Sequence, residues 1–422
     1  MNALSLAGLL LLWPGIQGAD RDGGTGCAVC HGKEQRELET SVHARAGIAC
    51  TDCHGGNPAA MEVAAAHGES LRRYSSLTEV VESCGSCHAD VERMRSYGVR
   101  TDQLSLYWTS RHGQRLLQDP GAEVATCTSC HGTHGVPPAN DTRSPSHPFH
   151  QVETCGKCHA DPELMSKHGV AVGAVEAYRN SVHGRALLDE GHTSAPSCAD
   201  CHGSHGATPP RAQDVGQVCG QCHAVVQDHF EESPHVRPGS GGAAVECVDC
   251  HGGHGVAEPS EAMFSGDEKG HCGECHPPGA GTALLVAGDL RARISGLGRA
   301  IDEASEDVRG AASRGVFLGP EKGYLDDARG LLVRARSMSH RLSVPALEDV
   351  LNRGHGMVGQ TRESLATKAR MLRDRKIFAS AFGAVSVVFA FVLWLYSRAI
   401  GGSWKAPTAE PATVKDPGVG RG

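Results

Sequence analysis

All 18 cysteines of the chain fall in C-x-x-C-H units, nine in number. They are Cys27-Cys30-His31, Cys50-Cys53-His54, Cys84-Cys87-His88, Cys127-Cys130-His131 and Cys155-Cys158-His159, then Cys198-Cys201-His202, Cys219-Cys222-His223, Cys247-Cys250-His251 and Cys272-Cys275-His276. Two thiols three positions apart, followed at once by an imidazole, could close a redox disulfide, hold zinc, or anchor a porphyrin. Neither of the first two gives a reason for His after every pair. Covalent haem does: both thiols bond to the porphyrin edge, and the adjacent His ligates the iron from one face. The expected cofactor is therefore haem c, nine copies, with the cysteines as anchors and the nine motif histidines as metal ligands.

On these motifs the chain resembles multihaem c-type cytochromes over about residues 27–276. The resemblance implies export, because haem is attached to such cytochromes outside the cytoplasmic membrane. It also implies the fold class. Short helices and irregular loops wrap around a haem array, followed here by an α-helical bundle and one C-terminal transmembrane helix. About 28 residues per haem leave too little chain for an ordinary core. With aromatic residues at only 4%, the porphyrins are expected to be the apolar filling, and the chain without them largely unfolded.

Internal repeats sharpen this reading. Residues 87–117 and 158–188 align without a gap: His88 to His112 and His159 to His183 are both 24 residues. His112 to Cys127 and His183 to Cys198 are both 15. After the lone motif at 27–31, four paired modules cover about 41–95, 105–165, 178–229 and 233–278. Each carries a Ser-x-His element, a motif, a further His and a second motif of the form Cys-Gly-x-Cys-His. The first motif extends to CHGTHG at 130–135, CHGSHG at 201–206 and CHGGHG at 250–255. The doubled arrangement resembles pentahaem and decahaem periplasmic electron carriers, and the Y-x-x-S-x-H-G element is similar to hydroxylamine-oxidising relatives.

Sixteen histidines lie outside the motifs. The module arithmetic selects eight as ligands for the second face of the irons: His43, His112, His183 and His235 from Ser-x-His, and His134, His205 and His254 from the extended motifs. His67 substitutes in the first module, where Asn57 breaks the pattern. The ninth ligand stays open among His147, His150, His168, His192, His229, His271, His340 and His355. Two imidazoles give closed, low-spin iron suited to electron transfer. Met94 and Met165, each six residues after its motif His, are expected to pack rather than ligate.

The elements around this region set its place in a cell. Residues 1–19 read as a signal peptide, an apolar run at 3–13 followed by small residues, although no basic residue precedes Arg21. The haem region spans 20–283. Residues 284–376 carry apolar stripes at helical spacing, Leu290 to Ala311, Leu325 to Leu342 and Leu347 to Leu365. An antiparallel bundle or stalk is the economical reading, able to make a homodimer contact. His355 lies on the stripe with Leu351, either as a core imidazole or as a ligand from outside the modules, and the core role is the expected one. Ile377–Tyr396 is uncharged and long enough to cross a membrane, leaving a short tail at 397–422. Basic residues are denser before this span than after it, against the positive-inside rule, but long translocated domains override loop charge.

Residues 20–283 carry a net charge of −15 and 284–422 one of +7. An acidic face excludes nucleic acid as a partner and steers basic redox proteins. Basic residues at 368–376 suit anionic lipid headgroups. The function expected is electron transport by a membrane-anchored multihaem cytochrome on the periplasmic side of the inner membrane. It would link a quinol dehydrogenase, or another membrane partner complex, to periplasmic carriers or a terminal reductase in anaerobic respiration. The alternative is a multihaem reductase or oxidase of a small nitrogen or sulfur compound, with one open iron. Related reductases mark that iron with Lys in place of the motif His, and no such unit occurs here.

Overall fold

The computed structural model describes residues 26–211, 214–236, 245–267, 270–279 and 281–401. The expected signal peptide and residues 402–422 lie outside them. Among the described residues there are helices and no strand. The chain divides into two units between Leu284 and Leu285.

The first unit is a succession of short helices, most of them four to twelve residues long. Cys50–His54, Cys127–His131, Cys198–His202 and Cys247–His251 are each a single motif forming one five-residue helix. So short a helix does not persist alone in water. Local chemistry holds it at both ends. The motif's third residue (Asp52, Ser129, Asp200 or Asp249) accepts a hydrogen bond from the backbone N–H of the residue before the helix, at 2.7–3.0 Å. The glycine after the motif His (Gly55, Gly132, Gly203 or Gly252) takes a positive φ of 65–82° and ends the helix. The second motifs of the first two modules instead close longer helices, Leu77–His88 and Pro148–His159.

Apolar packing in this unit is sparse. Among the described residues from 26 to 284 the buried apolar side chains are Val81, Met94, Tyr107, Leu116, Ala122, Val152, Met165 and Leu187. Val81, Tyr107 and Leu116 form one small cluster. The unit is arranged around a cavity rather than around a side-chain core.

The second unit has a conventional core. Ala287, Leu290, Ile294, Leu297, Ile301, Ala304, Val308 and Ala311 are all buried along helix Ala283–Ser313. Their alternating steps of three and four keep one face inward. Helix Gly319–Met338 buries Leu325, Ala328, Leu332 and Ala335. Gly298 faces Leu332 and Ser305 bonds Arg329, so these two helices run antiparallel. Gly354 faces Leu297 and Arg362 pairs with Glu303, so the third helix, Val344–Gly401, runs parallel to the first.

Two expectations are corrected here. Leu342 leaves the second stripe, because it takes a left-handed conformation (φ 53°) in the turn before the third helix. His355 is exposed: Gly354, Val358 and Thr361 hold the inward positions and point it outward.

Glu321 is fully buried in this bundle, with Lys368 Nζ at 2.6 Å and the Ser364 hydroxyl donating at 2.6 Å. Burial opposes its ionisation, but the hydrogen bonds from Lys368 and Ser364 outweigh that and hold its carboxyl below the ordinary value. A depressed folded-state pKa adds stability above the unfolded value, about 4.3, and loses it as pH falls through the folded one. The bundle should therefore weaken below about pH 4. Lys368→Met should cost about 3 kcal/mol at neutral pH by stranding a buried carboxylate. Thermal unfolding of the wild type and of Lys368→Met from pH 3 to 7 checks both.

The third helix is 58 residues long, about 87 Å at 1.5 Å per residue. It runs from the bundle through the apolar stretch to Gly401 without the break at 376 that separate stalk and span would require. Its side chains from Ala369 onward are not buried: residues 369–400 are all exposed, including the apolar run Ile377–Tyr396. This is one helix long and apolar enough to cross a membrane. Near its end the Arg398 guanidinium sits 4.7 Å above the Trp394 ring, a pairing suited to a membrane–water boundary.

Candidate functional site

The first unit encloses a cavity of about 3400 Å³, lined from Gly26 to Gly255 and including most motif residues. A pocket for one drug-sized molecule is about 300–1,000 Å³, so this cavity has room for several large apolar groups.

The fold brings histidines together in pairs, one from a motif and one from outside, and six of the pairs line this cavity. The ring centroids lie 6.1 Å apart for His31 and His67, 6.1 Å for His88 and His43, and 6.4 Å for His54 and His134. They lie 6.1 Å apart for His159 and His112, 6.0 Å for His131 and His205, and 6.3 Å for His223 and His183. The separations are 5.7 Å for His202 and His254 and 6.1 Å for His276 and His235. All eight histidines selected from outside the motifs are thus paired with a motif His, each with a different one. His251, the remaining motif His, is engaged with other groups of the fold.

The separations discriminate between metal geometries. A metal bound to imidazole at about 2.0–2.1 Å places two rings about 6.4 Å apart when they lie in line and about 5.2 Å apart at a tetrahedral angle. Seven of the eight separations, 6.0–6.4 Å, lie near the linear value, and that of His202 and His254, 5.7 Å, falls between the two. Among the described residues no three or more His, Cys, Asp or Glu converge as an all-protein metal shell would need.

Burial pushes the pKa of His43, His88, His112, His131, His159, His183, His202, His205 and His235 below the ordinary value. Desolvation disfavours the cation, so these rings are neutral at pH 7 and keep a lone pair for a metal. The thiols are also grouped. Cys84 and Cys127 meet, as do Cys155 and Cys198, and Cys219 and Cys247; the shared hydrogen bond pushes Cys84, Cys155 and Cys247 up and their partners down. Each contact joins the second motif of one module to the first motif of the next.

Three further features position the paired rings, and residue spacing alone did not reveal them. The serine of Ser-x-His is buried at Ser41, Ser110, Ser181 and Ser233, and the first three are N-caps of the helix that carries the His. The Ser110 and Ser181 hydroxyls accept the Gly113 and Gly184 N–H at 3.0 and 2.9 Å. The glycine after the His permits close approach, since a Cβ at Gly113 or Gly184 would lie 2.0 Å from the Tyr107 or Tyr178 carbonyl oxygen. Those tyrosines donate to the Ala125 and Pro196 carbonyls, at 3.0 and 2.7 Å, pinning the segment before the next motif; burial pushes both phenols up to about 12.

The residue between Ser and His carries the long-range link. The Val42 N–H donates to the Val136 carbonyl at 2.9 Å, Arg111 to Ala207 at 3.0 Å and Val182 to Val256 at 2.9 Å. Every acceptor sits two residues after the outer His of an extended motif. Each bond therefore sets two outer histidines side by side: His43 with His134, His112 with His205, and His183 with His254. A serine recurring two residues before a histidine was the available signal, read as a cap rather than as filler.

Ser181→Ala removes one such cap and should cost about 1 kcal/mol. Comparing thermal midpoints of the variant and the wild type measures it; an unchanged midpoint would dismiss the capping role. No family model and no curated protein matches this chain.

Proposed function

We propose that this protein is a membrane-anchored multihaem cytochrome c that conducts electrons through nine covalently held haems. The observation that carries the reading is the pairing of eight motif histidines with eight outer histidines, seven of the pairs at 6.0–6.4 Å, near the spacing of two imidazoles in line across one metal. Haem c supplies one-electron chemistry when bound, and the residues present fit it. The paired cysteines would anchor each porphyrin edge, the motif His would take one face of the iron and the outer His the other. Burial keeps nine of the paired imidazoles neutral, and the thiol contacts between modules hold neighbouring attachment points together. An imidazole on both faces means that no ligand must leave when the electron count changes.

The apolar end of helix Val344–Gly401 is the anchor in this reading, with the haem unit on the periplasmic side of the inner membrane. Its acidic face suits a basic periplasmic carrier or a terminal reductase as acceptor, with a quinol dehydrogenase or another membrane partner complex as donor.

Stopped-flow reduction of the purified full-length protein by substoichiometric one-electron reductant tests the proposal. Electrons should redistribute among all sites at a rate independent of protein concentration. Electrons that stay where they first enter, or that redistribute only at a rate rising with protein concentration, would contradict conduction, and steady turnover of nitrite, hydroxylamine or sulfite would favour an enzyme.

A further inference from the structure

We infer that His229 is the ninth outer ligand, facing His251 across the iron of the haem held by Cys247 and Cys250. The inference rests on the haem reading above and follows from how the modules interlock.

The first motif of each module draws its outer His from the module ahead. His54 pairs with His134, His131 with His205 and His202 with His254. Each of those loops docks through the backbone N–H of the residue inside a Ser-x-His element. By the same rule the motif ending at His251 would need a loop from a fifth module, docked on Ser233-x-His235. The fourth element differs from the other three at the required atom. Its middle residue is Pro234, which has no backbone N–H to give, where Val42, Arg111 and Val182 each donate. The relay therefore ends there, and the last iron in it must be closed by another residue.

His229 stands where such a residue would be. It lies six residues after His223, the register at which Met94 follows His88 and Met165 follows His159. Both methionines are buried and line the cavity. In those two modules Asp90 and Asp161 cap a separate short helix that carries the Met. In the third module Val225 replaces the aspartate, and helix Val215–Glu231 continues past a kink at His223 as far as His229. That helix packs on Cys247–His251 and its Cys219 thiol meets Cys247.

The other histidines are placed for other work. His147 is an N-cap, the role Ser76 has in the preceding repeat. His150 bonds the Thr142 carbonyl at 2.7 Å. His192 and His271 sit beside Glu190 and Glu274. His168 follows Met165 at the end of its helix, and His340 and His355 belong to the second unit.

The test uses full-length haem-loaded protein and its His229→Ala variant, with His192→Ala as control. Mass spectrometry counts haems, and low-temperature electron paramagnetic resonance counts spin states. The wild type and control should be low-spin throughout. His229→Ala should retain nine haems, convert one centre in nine to high spin, bind carbon monoxide at that one centre, and return to low spin with added imidazole. Should His229→Ala not accumulate, His229→Met should keep nine haems and raise the potential of one. A high-spin centre in the wild type, or unchanged spectra and potentials in the variants, would overturn the assignment. A wild-type chain without covalent haem would instead overturn the reading it rests on.

Discussion

Produced in a host unable to attach haem, the first unit should fail to fold while the second keeps its helices. The asymmetry comes from where each unit puts its apolar atoms. Helix Ala283–Ser313 alone buries eight apolar side chains against its neighbours. The described residues from 26 to 284 together bury eight, scattered, around a cavity of about 3400 Å³. Isolated helices of five residues are not stable in water, and their caps supply only about 1 kcal/mol each. Circular dichroism of such apoprotein should show only the helix content of residues 285–401. Limited proteolysis should remove the first unit and spare the second. A protease-resistant first unit with full helicity would show that the chain carries its own core.

His205→Ala should produce the largest change obtainable from a single outer histidine. His205 faces His131 with rings nearly parallel, at an interplanar angle of 14°. The Arg111–Ala207 hydrogen bond holds its loop from outside the site, so the fold should survive the loss of the ring. Cys127 and Cys130 remain, so the haem count should stay at nine. The iron beside His131 should become high-spin and open to carbon monoxide. Because this site lies midway along the relay, electron redistribution across the array should slow at least tenfold, about 1.4 kcal/mol in barrier. Spin counting and stopped-flow reduction read the two effects independently. A fully low-spin variant with unchanged kinetics would mean that His205 does not serve the metal.

Much of the candidate site was legible because its chemistry is local in sequence. Two cysteines and a histidine in five residues mark a candidate attachment point without reference to the rest of the chain. The outer histidines were legible through repetition: a spacing of 24 residues recurring in two modules is independent of fold. Which motif each would face was not legible. His134 pairs with His54 rather than with the adjacent His131, because a backbone bond from Val42 to Val136 decides it. Hydrogen bonds of the main chain leave no residue type behind, except where a proline forbids one, as at Pro234.

The second unit shows the same contrast. Its buried stripes were read correctly from Leu290 to Ala311, since a long helix imposes one period. Leu342 and His355 were misread where that period meets a turn or a one-residue phase shift. The continuity of Val344–Gly401 was hidden because its composition changes abruptly at Ile377 while its backbone does not.

The most direct test of the account is the mass of the mature protein, purified and denatured. Nine thioether-linked haems and no free thiol are the predicted result. A bare polypeptide with eighteen titratable sulfhydryls, or one carrying zinc, would contradict it.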